Sequence, residues 1–202
     1  MDSQEITLRW AQPSPADGAA FAHYMDIASE GGFRKLFGKR FEEIVGAAYM
    51  IPNHDLSYET ALFAECEGKP VGMASGYTAT AFAGFDQDAL LRSAGPSRFR
   101  VSCALMLMAP MLRALHTYQA GDFYLEFLAV DADRRGQGIG AKLIGAMEAH
   151  ANEVGSSQLA IDVSARNPNA RRLYERQGFV LQSEWPRAKW IPTGVQRLSK
   201  TL

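Results

Sequence analysis

The feature that most narrows the fold is a run of glycines set between a strand pattern and a helix pattern. The stretch Phe123-Tyr124-Leu125-Glu126-Phe127-Leu128-Ala129-Val130 reads as an apolar strand. Simple alternation puts Phe123, Leu125 and Phe127 on one face and Tyr124, Glu126, Leu128 and Val130 on the other, so Glu126 is an acid within an apolar strand. After Asp131-Ala132-Asp133 the chain reads Arg134-Arg135-Gly136-Gln137-Gly138-Ile139-Gly140, and then Ile139, Leu143, Met147 and Ala151 recur one helical turn apart. Gly136, Gly138 and Gly140 lack side chains that would hold a ligand away from the backbone. Exposed amides and the helix dipole together can therefore hold a pyrophosphate, with Arg135 adding charge. The bland reading of the same residues is a tight turn facing water.

Two other phosphate-binding schemes compete for this turn. Gly136-x-Gly138-x-x-Ala141 satisfies a dinucleotide-binding spacing, and Asp162 lies where a ribose-binding acid is sought. Too little chain follows Ala141 for the strands and helices of a complete nicotinamide-binding domain. A phosphate-loop nucleotidase lacks its Gly-Lys-Ser/Thr ending.

Elsewhere the pattern is of one folded domain. The 202 residues are 47% hydrophobic and 21% charged, a mixture that can bury a core, which excludes a disordered chain. Lys and Arg total 21 against 22 Asp and Glu, so no overall basic field favours nucleic acid or an anionic membrane. A strand is expected at Ile6, Leu8 and Trp10 and a helix from near Ala16. Ala20 to Ile51 reads as helical in two pieces broken at Gly31-Gly32, and Ala61–Cys66 with Val71–Tyr77 as a hairpin turning at Glu67-Gly68-Lys69-Pro70. Between Thr78 and Gly121 the reading is poorest. Gly84, Gly95 and Pro96 suggest loops, and the apolar run from Ser102 suggests a core helix kinked or broken at Pro110 that could also line a pocket. A strand from Leu159 to Val163, a short helix opened by Asn167-Pro168 and a strand from Phe179 complete the pattern.

Cys66 and Cys103 each read as a buried small apolar group, and His23, His54, His116 and His150 have no metal-ligand spacing, so no metal is expected. The acidic start lacks a secretory pattern and no stretch reaches the roughly 18 apolar residues of a membrane span, so a cytoplasmic location is expected.

Two coupled stretches make the sequence resemble the GCN5-related N-acetyltransferase (GNAT) superfamily. The first is LEFLAVDADRRGQGIGAKL, carrying the family's Arg/Gln-x-x-Gly-x-Gly/Ala pattern from Arg135 to Gly140. The second is NPNARRLYERQGF, in which Asn167, Ala170, Leu173, Tyr174 and Gly178-Phe179 match. The resemblance implies an α/β (α+β) fold over residues 1–202: a mixed, centrally splayed β-sheet flanked by helices. It implies acetyl-CoA held by main-chain groups of Leu128, Ala129 and Val130 and by Arg135 and the amides of Gly136, Gln137, Gly138, Ile139, Gly140 and Ala141. Asn167 would lie near the cofactor arm, unless it serves only as a helix cap, and Tyr174 near the sulfur.

The implied activity is acetyl transfer to a primary amine by direct attack in a ternary complex. An attacking amine must lose a proton, and Glu126 is the leading base because its apolar strand would raise its pKa; a structural or substrate-binding role is the competing reading. Tyr174 would protonate the leaving sulfur, its alternative being a core aromatic, and the Val130 amide would meet the oxyanion. Tyr124 would shape the acceptor site. The helices from Ala20 to Ile51, the loop from Gly84 to Pro96 and the segment WPRAKW could build that pocket. Glu30, Glu42, Glu43 and Asp55 read first as solvated charges, and Trp185 and Trp190 as packing residues. A small-molecule amine is favoured over a protein acceptor, no nucleic-acid or membrane partner is expected, and the chain is expected to be a monomer or small homodimer. The alternatives are a noncatalytic acetyl-CoA-binding module, an NAD-dependent oxidoreductase, and transfer of a longer acyl group.

Overall fold

The computed structural model describes residues 5–115, 117–186 and 194–202. His116, Trp190 and the rest of 187–193, and the first four residues, lie outside the described residues. The described strands are β1 (Ile6–Trp10), β2 (Ala61–Cys66), β3 (Lys69–Thr78), β4 (Asp122–Val130), β5 (Gln158–Ser164), β6 (Val180–Trp185) and β7 (Val195–Thr201). They form one mixed sheet in the order β1-β2-β3-β4-β5-β7-β6. The β2–β3 hairpin turns on Glu67 and Gly68, both at positive φ, the conformation that matches the twist of a two-residue hairpin turn.

One face of the sheet is covered by α1 (Pro15–Ala28), α2 (Gly32–Phe37) and α3 (Phe41–Tyr49), with short α4 (Ala79–Ala83) and α5 (Ala89–Ser93) leading to the long α6 (Arg98–Leu115). Phe21, Phe37, Phe41, Ile44 and Val101 pack there against Phe63, Met73 and Phe127. The other face carries α7 (Ile139–Glu153) and α8 (Pro168–Arg176). Ile139, Leu143, Ile144 and Met147 of α7 are fully buried against Leu62, Ala74, Phe123 and Leu125, each contributing about 1.5–3 kcal/mol of apolar burial.

Four expectations are corrected. The helical stretch before Ile51 has three pieces, because Gly38 at φ +84 stops α2 and the Arg100 side chain packs against it. Helix α6 begins at Arg98 and runs through Pro110 without a break. The carbonyl that Pro110 cannot pair belongs to Met106, which is 75% exposed, so water can satisfy it. Nor is α6 wholly a core helix: Val101 and Ala104 are buried, but Phe99, Cys103, Met106 and Leu107 face outward. Cys66 is buried as expected, whereas Cys103 is exposed on that outward face.

Candidate active site

The site begins with a defect in a strand. Along the β3–β4 ladder Ser75 pairs with Phe127 but the next residue, Gly76, pairs with Leu125, so Glu126 is an extra residue and β4 bulges there. The bulge inverts the alternation. Phe123 and Leu125 pack on the α7 side, but Phe127 and Ala129 pack on the α1 side, so the expectation that Phe127 shares a face with Phe123 and Leu125 is overturned. Gly76 is required by close approach: a Cβ there would stand 2.6 Å from the Phe123 ring and 2.7 Å from the Tyr124 carbonyl.

The same point divides the sheet. Strands β4 and β5 pair in parallel only from Asp122–Gln158 to Leu125–Ile161, while β5 stays paired with antiparallel β7 as far as Ser164–Val195. Beyond Leu125 the β5 side of β4 has no strand partner among the described residues, which leaves main-chain groups of Leu128 and Val130 at the edge of a wedge, while those of Ala129 turn toward β3. A cavity of about 1120 Å³ fills that wedge. It runs from the glycine turn and α8 at one end to α6 and α2 at the other, with Glu30 of the α1–α2 corner reaching Asn167 at the start of α8.

Gly136 and Gly138 adopt φ +77 and +82, a region closed to most side chains, and a Cβ on either would meet nothing within 4 Å. Gly138 is also the N-cap of α7 and brings no capping side chain, so the first amides of a fifteen-residue helix remain open. Arg135, Gly136, Gly138, Ile139, Gly140 and Ala141 all line the cavity. The Ile139 side chain itself is buried in the core, the Arg135 Nε donates to the Val130 carbonyl at 3.1 Å, and the Gln137 amide donates away from the cavity to the Asp133 carbonyl at 3.2 Å. Asn167 lines the cavity and also caps α8, its Oδ1 accepting from the Ala170 amide at 3.0 Å.

Glu126 lines the middle of the wedge. Its Oε2 is one of the buried side-chain oxygens with no partner among the described residues, and so is Ser75 Oγ across the bulge. Burial pushes the Glu126 carboxyl well above the usual carboxylate range, the negative charge of Asp55 pushes it further, and the Tyr77 hydroxyl opposes them. Asp55 thus acts on the site, although the sequence presents it as a solvated charge. Glu42 and Glu43 do lie at the surface, paired with Arg34 and Arg40. Tyr174, on α8, is buried beside Phe179 and lines the cavity; burial raises its phenol far above the ordinary tyrosine range.

At the other end Tyr124, the helices before Ile51 and the apolar helix read from Ser102 do line the cavity, but sequence reasoning missed the network that ties them. Tyr124 donates to Asp162 Oδ2 at 2.9 Å, and Asp162 is gripped by Arg197, whose Nε and Nη2 lie 3.0 and 2.7 Å from its two oxygens. Arg197 also donates to the carbonyls of Leu115 and Thr117, tying the end of α6 to β5 and β7. Its guanidinium stands 5.6 Å from the Tyr124 ring centre and 5.9 Å from that of Tyr118. These residues come from four separate parts of the chain, and no local spacing announces them. Among the described residues no cluster of His, Cys, Asp or Glu could hold a metal ion.

The antiparallel β7 beside β5 denies the chain the run of parallel strands that a dinucleotide-binding unit uses. The model of the acetyltransferase (GNAT) family matches residues 30–179. No curated protein matches the sequence. Among solved structures, one acetyltransferase superposes with a TM-score of 0.68 at 21% identity, over 96% of this chain and 98% of the other. An N-acetyltransferase from Staphylococcus aureus Mu50 gives 0.67 at 16% identity over 96% and 100%, and an acetyltransferase from Thermus thermophilus gives 0.58 at 16% over 97% of each chain. At these identities the likeness is one of fold. The sequence match, however, reaches from the α1–α2 corner across the bulged strand and the glycine turn to the end of α8, and by that match the chain belongs to the acetyltransferase (GNAT) family.

Proposed function

We propose that this chain transfers the acetyl group of acetyl-CoA to a primary amine by direct attack, with both bound in the cavity. The observation that carries the reading is the continuity of that cavity, which places an unpartnered buried carboxylate oxygen between an open helix N-terminus and an apolar chamber. The residues fit the cofactor. The amides from Gly136 to Ala141, opened by glycine at every second position, suit a pyrophosphate, and the edge at Leu128 and Val130 that faces away from β3 suits an amide-bearing arm laid along it like a strand. Arg135 adds positive charge at the mouth, Gln137 contributes through its main-chain amide alone because its side chain is bonded to the Asp133 carbonyl, and Asn167 stiffens the start of α8 beside the arm.

When bound, acetyl-CoA supplies a thioester with an electrophilic acyl carbon. Glu126 takes the proton that the amine loses, and its raised pKa matches it to that task. The Val130 amide, on the unpaired edge, is the donor for oxyanion charge. Tyr174 stays protonated through neutral pH and holds its hydroxyl proton for the departing sulfur.

Initial-velocity kinetics with acetyl-CoA and hexylamine, read as release of free thiol, test the reading. Intersecting double-reciprocal lines are expected; parallel lines would contradict direct attack. Acetyl-CoA binding by calorimetry without turnover of any amine would instead favour a noncatalytic binding module.

A further inference from the structure

The two ends of the cavity differ in charge, and the difference selects among amines. The cations that line it, Arg134, Arg135, Arg172 and Arg176, all lie on the glycine turn and α8. The opposite chamber is walled by Phe33 and Leu36 of α2 and by Met108, Met111, Leu112 and Leu115 of α6. Three carboxylates line the cavity as a whole, and they are not equivalent. Asp162 is committed to Arg197 and Tyr124, and Glu30 faces the Asn167 side-chain amide at 3.4 Å, at the α8 end. Only Glu126 presents a buried oxygen without a partner, at the root of the apolar chamber. A buried charge is tolerated when an opposite charge reaches it, and a second charge set among methionine and leucine side chains has no such relief.

We infer that the acceptor is a primary monoamine with an uncharged apolar body: its ammonium meets Glu126, and its alkyl or aryl part lies against Met108, Met111 and Leu112. A diamine would leave its second ammonium against α6, and an amino acid would leave its carboxylate with no free cation among the described residues of that chamber. This inference rests on amine acetylation as the reaction.

Three acceptors with the same six-carbon body test it on the intact wild-type protein: hexylamine, hexamethylenediamine and ω-aminohexanoate, each with acetyl-CoA. The expected result is a kcat/KM for hexylamine about tenfold or more above the other two. Equal or better turnover of the diamine or the amino acid would overturn the inference while leaving acetyl transfer intact. A preference for hexanoyl-CoA over acetyl-CoA would also overturn it, because the chamber would then take the acyl chain. Failure of all three amines, with acetyl-CoA still binding in calorimetry, would remove the underlying reading as well. The M111E variant adds a second arm. A carboxylate on that wall should shift the ratio of diamine to hexylamine kcat/KM upward by about tenfold, and an unchanged ratio in a folded variant that binds acetyl-CoA would count against the placement.

Discussion

The two ends of the cleft are built on opposite principles. At the glycine turn the working groups are backbone amides, so the sequence contributes by removing side chains, and it does so within a few residues. At the α6 end the working groups are side chains from α1, α2, β4, β5 and α6, brought together by the sheet and tied by Arg197. A cofactor site made of backbone depends on one local conformation, whereas an acceptor site made of distant side chains can change wall by wall without disturbing it. The bulge at Glu126 is where the two meet.

If that division holds, substitutions at the junction should stop turnover and substitutions on either side should separate. E126Q should lower kcat by about 10³-fold while acetyl-CoA affinity measured by calorimetry stays within about twofold. Loss of cofactor binding in that variant would show that the two ends are not independent. Y174F should lower kcat by about 10²-fold, with a smaller effect on the KM for either substrate.

D162N tests the brace at the acceptor end. It leaves the guanidinium of Arg197 buried against a neutral amide, and should cost about 3 kcal/mol of stability by denaturant unfolding. G138A probes the other end. A Cβ at φ +82 costs about 1–2 kcal/mol and displaces the amides, so acetyl-CoA binding should weaken about tenfold while the preference among amines is retained.

The smallest effect concerns stability. Because the Glu126 pKa is raised in the folded state, folding retains a proton that the unfolded chain releases, and stability falls as pH rises through that interval. E126Q should therefore melt higher than wild type near pH 8, with the gain shrinking toward pH 5. Equal melting temperatures at both values would mean that the carboxyl is well solvated.

How far this could be read in advance follows the same division. The strand, turn and helix from Phe123 to Ala151 were legible because each signal is local: an apolar run, closely spaced glycines, and a helical period. The hairpin was legible for the same reason. The bulge was not, since one extra residue leaves no mark on the letters; its consequence, the transfer of Phe127 to the other face, needs the pairing of Ser75 and Gly76 to be seen. Helix α6 and its place beside a pocket were legible, but its continuity was not: Pro110 argues for a break, while the exposure of Met106 that makes the proline tolerable belongs to tertiary structure. The Tyr124–Asp162–Arg197 network joins strands far apart in sequence, and only the splayed sheet assembles it.

The most direct test of the account is the pH dependence of kcat/KM for hexylamine in wild type and E126Q, measured side by side with saturating acetyl-CoA. The account predicts a rising limb in wild type, with a midpoint above the usual carboxylate range and below the amine's own ionisation at about 10, that E126Q lacks. The same limb at the same height in both proteins would show that Glu126 is not the base.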